Sequence, residues 1–274
     1  IANEIEFPPS LARLWHLRGY YGSLKHNVRG IYAYYLGWYD GNPATLDSLP
    51  PRDLARRTLQ YMGGVEAVLT RAHADYVAGD YRWVVHILDQ VIWAEPDNMV
   101  ARELAAAAHT QMGYGAENPT WRNAYLSAAN ELRVGLPKGD KNHRILRDVL
   151  KGMSPLLLMN SLSIRLNGPK AAGLAFTINW CIAGTDESCH SELSNAVLNN
   201  REGLDPHAIL SITLPREMLS DFALGHITSE GLQGPDVMFE GDKTVLSSLA
   251  DLLDMFPAWF PIATHDLKYG EANL

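Results

Sequence analysis

Between Pro51 and Val134 apolar residues recur at helical spacing, and from Leu174 onward they alternate with polar ones. A period of 3.6 lines one stripe of a helix, and a period of 2 lines one face of a strand. Neither pattern can bury its apolar side in the other's geometry. The change of period therefore predicts two units of different class. The first is an all-α N-terminal half, and the second is α+β, an antiparallel sheet covered by helices. The stretch "PKGDKN" at 137–142 is the candidate linker. No strand is expected before residue 137, and a mixed sheet of four or five strands is expected after it.

The helical half is punctuated by turn residues. "PRDLARRTLQYMGG" opens on Pro51 and closes on a glycine pair. The next helix runs to Gly79-Asp80-Tyr81, a second to Pro96-Asp97-Asn98, and a third follows. Ala72, Gly79 and Pro96 sit where a tetratricopeptide-type unit places a small residue, the inter-helix turn and the exit. One such unit fits well, whereas an independent solenoid needs about three. The helices are thus expected to pack against something else, and a two-fold dimer is the expected solution. Asn118-Pro119 starts one more helix. Trp83, Trp93 and Trp121 read as core or dimer-interface aromatics. His73, His86 and His109 read as packing or surface residues.

In the second half, "RILRDVLKGMSPLLLMNSLSIRLNG" reads as a helix leading into a first strand. "GLAFTINWCIAG" at 173–184 alternates, with Leu174, Phe176, Ile178 and Trp180 on one side. "SELSNAVLNN" and "AILSITL" are further strands. "PREMLSDFALG" is a helix with Pro215 at its first position. "DVMFEGDKTVLSSLADLLDMF" is a strand, a turn with Asp242 as N-cap, and an amphipathic helix. Met238, Phe239, Leu246, Leu249, Leu252, Leu253, Met255, Phe256, Trp259 and Phe260 make this end unusually apolar. They fit a helix packed on a sheet, and they equally fit a groove for a flexible alkyl chain.

Composition narrows the functional classes. Hydrophobic residues make up 47% and charged residues 20% of the 274 residues, enough for a sizeable core. A net charge of −8 offers no basic face to a nucleic-acid backbone. No apolar run is long enough to span a membrane. Cys181 and Cys189 are too few for a disulfide framework and read as small hydrophobes or free thiols. The opening "IANEIEFPPSLARLW" carries no initiator Met and no signal-peptide pattern. It reads as the middle of a protein, with further sequence expected before it.

The stretch "GYYGSLKHNVRGIYAYYLGWYDGNPA", residues 19–44, spends aromatics and turn residues as ordinary helices do not. A first helix is expected from an N-cap at Ser10, ended by Gly19 and Gly22. A second carries Val28, Ile31, Tyr32, Tyr35, Leu36 and Tyr39 at helical spacing. Tyr32 and Tyr35 fall at core positions. Tyr20, Tyr21 and Tyr39 are the candidates to offer a phenol to an anion, with Tyr39 preferred. His26, near the start of this helix, can hold an anion or donate a proton, because histidine changes charge near neutral pH and helix N-termini favour negative charge. It can equally cap the helix or fill an aromatic cluster. Asn27 beside it is an amide donor. Arg18 and Arg29 can pair with an anion or stand solvated. Asp40 and Asn42 of "DGNP" cap a turn.

The segment "RGYYGSLKHNVRGIYAYYLGWYDGNPA" resembles the motif that follows the metal domain in class III alkylsulfatases, zinc enzymes of metallo-β-lactamase fold. "MFEGDKTVLSSLADLLD" is similar to the sterol-carrier-protein-2-like (SCP-2-like) domain at their C-terminus, and the helical middle matches their dimerisation domain. The resemblance implies that 1–44 is the tail of a catalytic domain, 45–137 the dimerisation domain and 138–274 the SCP-2-like domain. It implies hydrolysis of primary alkyl sulfate esters such as dodecyl sulfate. His26 becomes a catalytic residue, with Asn27, Tyr39 and Tyr21 binding the sulfate. Two zinc ions would be held by an upstream metallo-β-lactamase-type domain, because the His-x-His-x-Asp-His cluster of that family does not occur here and no metal ligand is expected in this chain. The implied partners are that domain, a second copy of the chain and an alkyl sulfate, and the implied location is periplasmic or secreted. The competing reading is a non-enzymatic lipid- or surfactant-binding protein with a helical dimerisation module.

Overall fold

A computed structural model describes residues 1–137, 152–232, 234–256 and 259–265. The chain divides into two compact units. One joins residues 1–137 to the segment that starts at Trp259, and the other is Lys138–Ala258. All of "PKGDKN" but Pro137, and "RILRDVLK" with the helix expected there, lie outside the described residues.

The helical unit begins with two short turns, α1 (Pro9–Ala12) and a 3-10 turn at Trp15–Leu17, then α2 (Leu24–Leu36). The expected N-cap at Ser10 is displaced. Pro8 is the cap and Pro9 the first helical residue, since proline's fixed φ suits that position. Five helices follow: α3 (Pro51–Tyr61), α4 (Val65–Ala78), α5 (Tyr81–Ala94), α6 (Met99–Gly115) and α7 (Pro119–Val134). The α4–α5 turn is made by Gly79 at φ 86°, where a side chain would be strained. Asn98 and Asn118 cap α6 and α7, their side-chain oxygens accepting from Ala101 and Trp121 at 3.0 and 2.9 Å. On α5, Val84, Ile87, Leu88, Val91 and Ile92 are all buried, spaced three and four apart. They meet the small residues Ala101, Ala105, Ala106 and Ala108 of α6. Helices α6 and α7 approach closely at Gly113, where an added Cβ would lie 2.7 Å from Leu126. Glycine there is a packing requirement.

The chain returns to this unit after the sheet. The Glu131 carboxylate on α7, only 6% exposed, accepts from the backbone N–H of Ile262, Ala263 and Thr264 and from the Thr264 hydroxyl at 2.8–3.1 Å. Burial pushes its pKa up, but these bonds outweigh burial and leave it below the ordinary carboxylate range. His265 stacks on Trp93 at 3.8 Å between centroids and bonds Asp89 at 2.6 Å. Residues 259–265 thus sit with the helices, whereas the sequence places them with the sheet. Trp259 and Phe260 accordingly belong to the helical unit.

The second unit opens on helix, not strand. α8 (Pro155–Ser163) is capped by Ser154, and the short α9 (Gly168–Ala171) follows. The strand expected within "PLLLMNSLSIRLNG" is absent among the described residues, because Leu158, Met159 and Leu162 recur at helical spacing and are all buried. The sheet has five strands in the order β3-β2-β1-β4-β5. They are β1 (Phe176–Ile182), β2 (Ser188–Ser194), β3 (Val197–Glu202), β4 (Leu210–Leu214) and β5 (Met238–Gly241). β1 and β4 pair in parallel and every other pair is antiparallel. "SELSNAVLNN" is two strands, not one. Asn195 and Ala196, both with positive φ, form the two-residue turn that a right-twisted hairpin favours. α10 (Arg216–Leu224) and α11 (Thr244–Asp251) complete the unit. Asp242 accepts from the Thr244 N–H and hydroxyl at 2.9 and 2.7 Å at the entry to α11.

Trp180 is the largest fully buried side chain of this core. Its indole N–H donates to Ser191, whose hydroxyl donates to Asn200, which in turn donates to Ser163 on α8. A buried polar tip is thereby satisfied and ties three strands to a helix. Leu246, Leu249 and Leu252 are buried in the same core and so line no groove, while Met238, Met255 and Phe256 are exposed. Both cysteines are free, and burial pushes the Cys189 thiol up to about 12. Among the described residues no helix is long and apolar enough to cross a membrane.

Candidate functional site

The candidate residues lie in the first fifty residues, a stretch with no buried side chain. α2 starts after Ser23, which takes the extended cap conformation but makes no side-chain cap bond. His26 is the third residue of the helix and is exposed. Its ring meets that of Trp121 edge-on, 6.2 Å between centroids at 68°. Asn27 is also exposed, and its amide lies over Gly22, where a Cβ would come within 3.2–3.3 Å of it. The glycine therefore admits the amide against the preceding turn. Arg18 pairs with Glu117 and lies 5.7 Å from the centre of the Tyr20 ring.

His26 and Asn27 are adjacent at the start of α2, but the two tyrosines stand apart. Tyr21 is 95% exposed. Tyr39 is half-buried against Trp38, at 5.7 Å between rings, beyond the end of the helix at Gly37. The helix carries the chain roughly 15 Å from His26 to Leu36 at 1.5 Å per residue. Tyr32 and Tyr35, expected in a core, are exposed, as are Ile31, Tyr34, Leu36 and Trp38. Their spacing is helical, but no element among the described residues covers them. Such an apolar surface marks an interaction site. Asp40 and Asn42 form the expected turn, with Asp40 accepting from Asn42 N–H and Thr45 hydroxyl at 2.9 Å. These bonds hold the Asp40 carboxyl below its ordinary range.

The sequence did not point to Glu117 or to a role for Trp121 beside His26. Both approach the segment from the start of α7, about a hundred residues on, and the sequence signal there is the Asn118-Pro119 start that sets their place. Of the other histidines, His86 stacks on Trp83 at 5.5 Å, and burial keeps the His109 pKa low. Among the described residues no group of three or more His, Cys, Asp or Glu side chains gathers as a metal site, so these residues do not fit a zinc centre.

Comparison with known proteins also finds two successive regions, although the second extends over residues 259–265, which pack with the helices. The model described as alkyl sulfatase dimerisation matches residues 1–135, and that described as alkyl sulfatase C-terminal matches 144–265. The alkyl/aryl-sulfatase BDS1 of Saccharomyces cerevisiae is 40% identical over 263 residues, spanning 96% of this chain and 40% of that protein. A linear primary-alkylsulfatase of Pseudomonas sp. is 40% identical over 266 residues, with the same coverage. The stereoselective inverting sec-alkylsulfatase Pisa1 from Pseudomonas sp. superposes with a TM-score of 0.85 at 37% identity, over 96% of this chain and 42% of that one. The chain belongs to the alkyl sulfatase family and corresponds to its C-terminal part, a dimerisation unit followed by the family's C-terminal unit. It spans about two fifths of the length of the curated relatives it matches.

Proposed function

We propose that this chain is the C-terminal portion of an enzyme that hydrolyses primary alkyl sulfate esters such as dodecyl sulfate to alcohol and sulfate. The observation that carries the reading is α2. Its apolar face is uncovered, its first turn bears His26 and Asn27, and it opens a chain that matches only about two fifths of each alkyl sulfatase relative. In this reading 1–44 closes over a catalytic domain that lies outside the chain. Tyr34, Tyr35 and Trp38 pack against that domain and exclude water.

The chain's own chemistry then concerns the sulfate group and the leaving oxygen. The start of α2 offers free backbone N–H groups and a partial positive charge to an anion. Asn27 donates its amide N–H to a sulfate oxygen. Water adds as the ester bond breaks, and His26 donates a proton to the oxygen that leaves. Tyr21 and Tyr39 are proposed as further donors to sulfate, with Tyr39 brought near only by the missing domain. Two zinc ions are held by the domain outside this chain; among the described residues no group of metal-ligating side chains gathers. The helical unit forms a homodimer, and the exposed Met238, Met255 and Phe256 of the sheet unit contact the alkyl chain.

The test is turnover of dodecyl sulfate by the full-length enzyme. His26→Ala is expected to lower it by roughly 10²–10⁴-fold, the usual worth of a positioned acid, with metal content and dimerisation unchanged. His26→Gln should recover binding but not rate. Near wild-type turnover in His26→Ala would make His26 a packing residue.

A further inference from the structure

The turn that bears His26 is tied to the helical unit at one place. Arg18, before the turn, pairs with Glu117, and the His26 ring rests edge-on against Trp121. Glu117 lies just before the Asn118 cap of α7, and Trp121 lies in its first turn. That end of α7 is itself rigid. Asn118 is buried and accepts the Trp121 N–H at 2.9 Å, Pro119 fixes the first helical residue, and Arg122 donates twice to the Ala116 carbonyl at 3.2 and 2.9 Å. Further along, Gly113 and Leu126 lock α7 against α6. A continuous path of packed groups thus runs from the helical core to the imidazole of an otherwise exposed segment.

We propose that Trp121 and Glu117 are positioning residues for His26: the dimerisation unit sets the orientation of the imidazole at the sulfate site. This rests on the reading of His26 as a site residue. The indole limits the rotamers open to His26, and its edge-on contact suits a ring whose partner is flat and fixed. Glu117 acts one step earlier, through Arg18, on the turn that precedes α2. Because the pair is exposed, its contribution is the smaller of the two.

A double-mutant cycle in the full-length enzyme separates the possibilities. Turnover of dodecyl sulfate is measured for His26→Ala, Trp121→Ala, the double variant, Trp121→Phe and Glu117→Gln. Trp121→Leu, which keeps most of the bulk but not the aromatic face, replaces Trp121→Ala if the latter fails to assemble. Trp121→Ala is expected to lower kcat about ten- to a hundredfold with KM and dimerisation unchanged, as misplacement of a reacting group does. Trp121→Phe should restore most of the rate, and Glu117→Gln should cost about threefold or less. In the His26→Ala background Trp121→Ala should cost nothing more. An equal cost in both backgrounds, or no cost while His26→Ala is impaired, overturns the positioning role alone. Wild-type turnover in His26→Ala overturns the site reading and the positioning role with it.

Discussion

Helices α2 and α5 are nearly equal in length, 13 and 14 residues, and both are rich in apolar and aromatic side chains. α5 buries five of its residues and α2 buries none. On α5 the aliphatic residues lie at three- and four-residue spacing and meet the alanines of α6, whose small side chains admit a close neighbour. On α2 the large residues are mainly tyrosines, each able to face apolar matter with its ring and water or an anion with its hydroxyl. Apolar content therefore does not tell burial within a chain. α5 is a core helix of this unit, and α2 is a helix whose apolar side is left uncovered by the described residues.

Substitutions should separate the two helices sharply. Leu88→Ala on α5 removes a fully buried side chain and should destabilise the helical unit by about 2–5 kcal/mol in denaturant unfolding. A cost under about 1 kcal/mol would mean that α5 is not the core helix. Glu131→Ala comes next. It leaves the amides of Ile262, Ala263 and Thr264 without their acceptor and should cost about 1–3 kcal/mol, with faster hydrogen exchange at those amides. Unchanged exchange there would show that the tail is held by other contacts. Tyr35→Ala on α2 should change the stability of this chain by less than about 0.5 kcal/mol, as exposed substitutions do. A larger loss would place α2 in the core.

Acid should act on the same tail. Because Glu131 has its pKa lowered when the tail is docked, its contribution is complete above the ordinary carboxylate range and is lost as pH falls through the lowered value. Protection of the amides at 262–264, taken relative to their intrinsic exchange rate at each pH, should therefore stay high at neutral pH and fall in strong acid. A tail that loosens as pH rises would contradict this sign.

Much of this was legible in the sequence, for physical reasons that can be named. The helices from Pro51 to Val134 were readable because period and punctuation agree: Gly79, Asn98 and Asn118 stand where backbone geometry and capping require them. Strand β1 was readable from its alternation. The β2–β3 hairpin was not, since its turn is Asn-Ala without a glycine. The apolar side of α2 was readable, but what covers it was not, because periodicity reports which side of a helix is apolar and not what lies against it. The docking of residues 262–264 on Glu131 pairs positions some 130 apart in sequence, and no local signal carries it. The same holds for Trp121 and His26. The candidate site was legible as a residue pair, His26 and Asn27, and not as an environment.

The central claim is that the face of α2 is an interface with the part of the enzyme outside this chain. Hydroxyl-radical footprinting of Tyr34, Tyr35 and Trp38, 83%, 77% and 79% exposed here, tests it most directly. In residues 1–274 alone all three should be modified rapidly, while the buried Trp180 stays protected. In the full-length enzyme the three should become protected as well. If Tyr34, Tyr35 and Trp38 are modified as fast in the full-length enzyme as in the isolated chain, nothing covers α2 and the account of this segment is wrong.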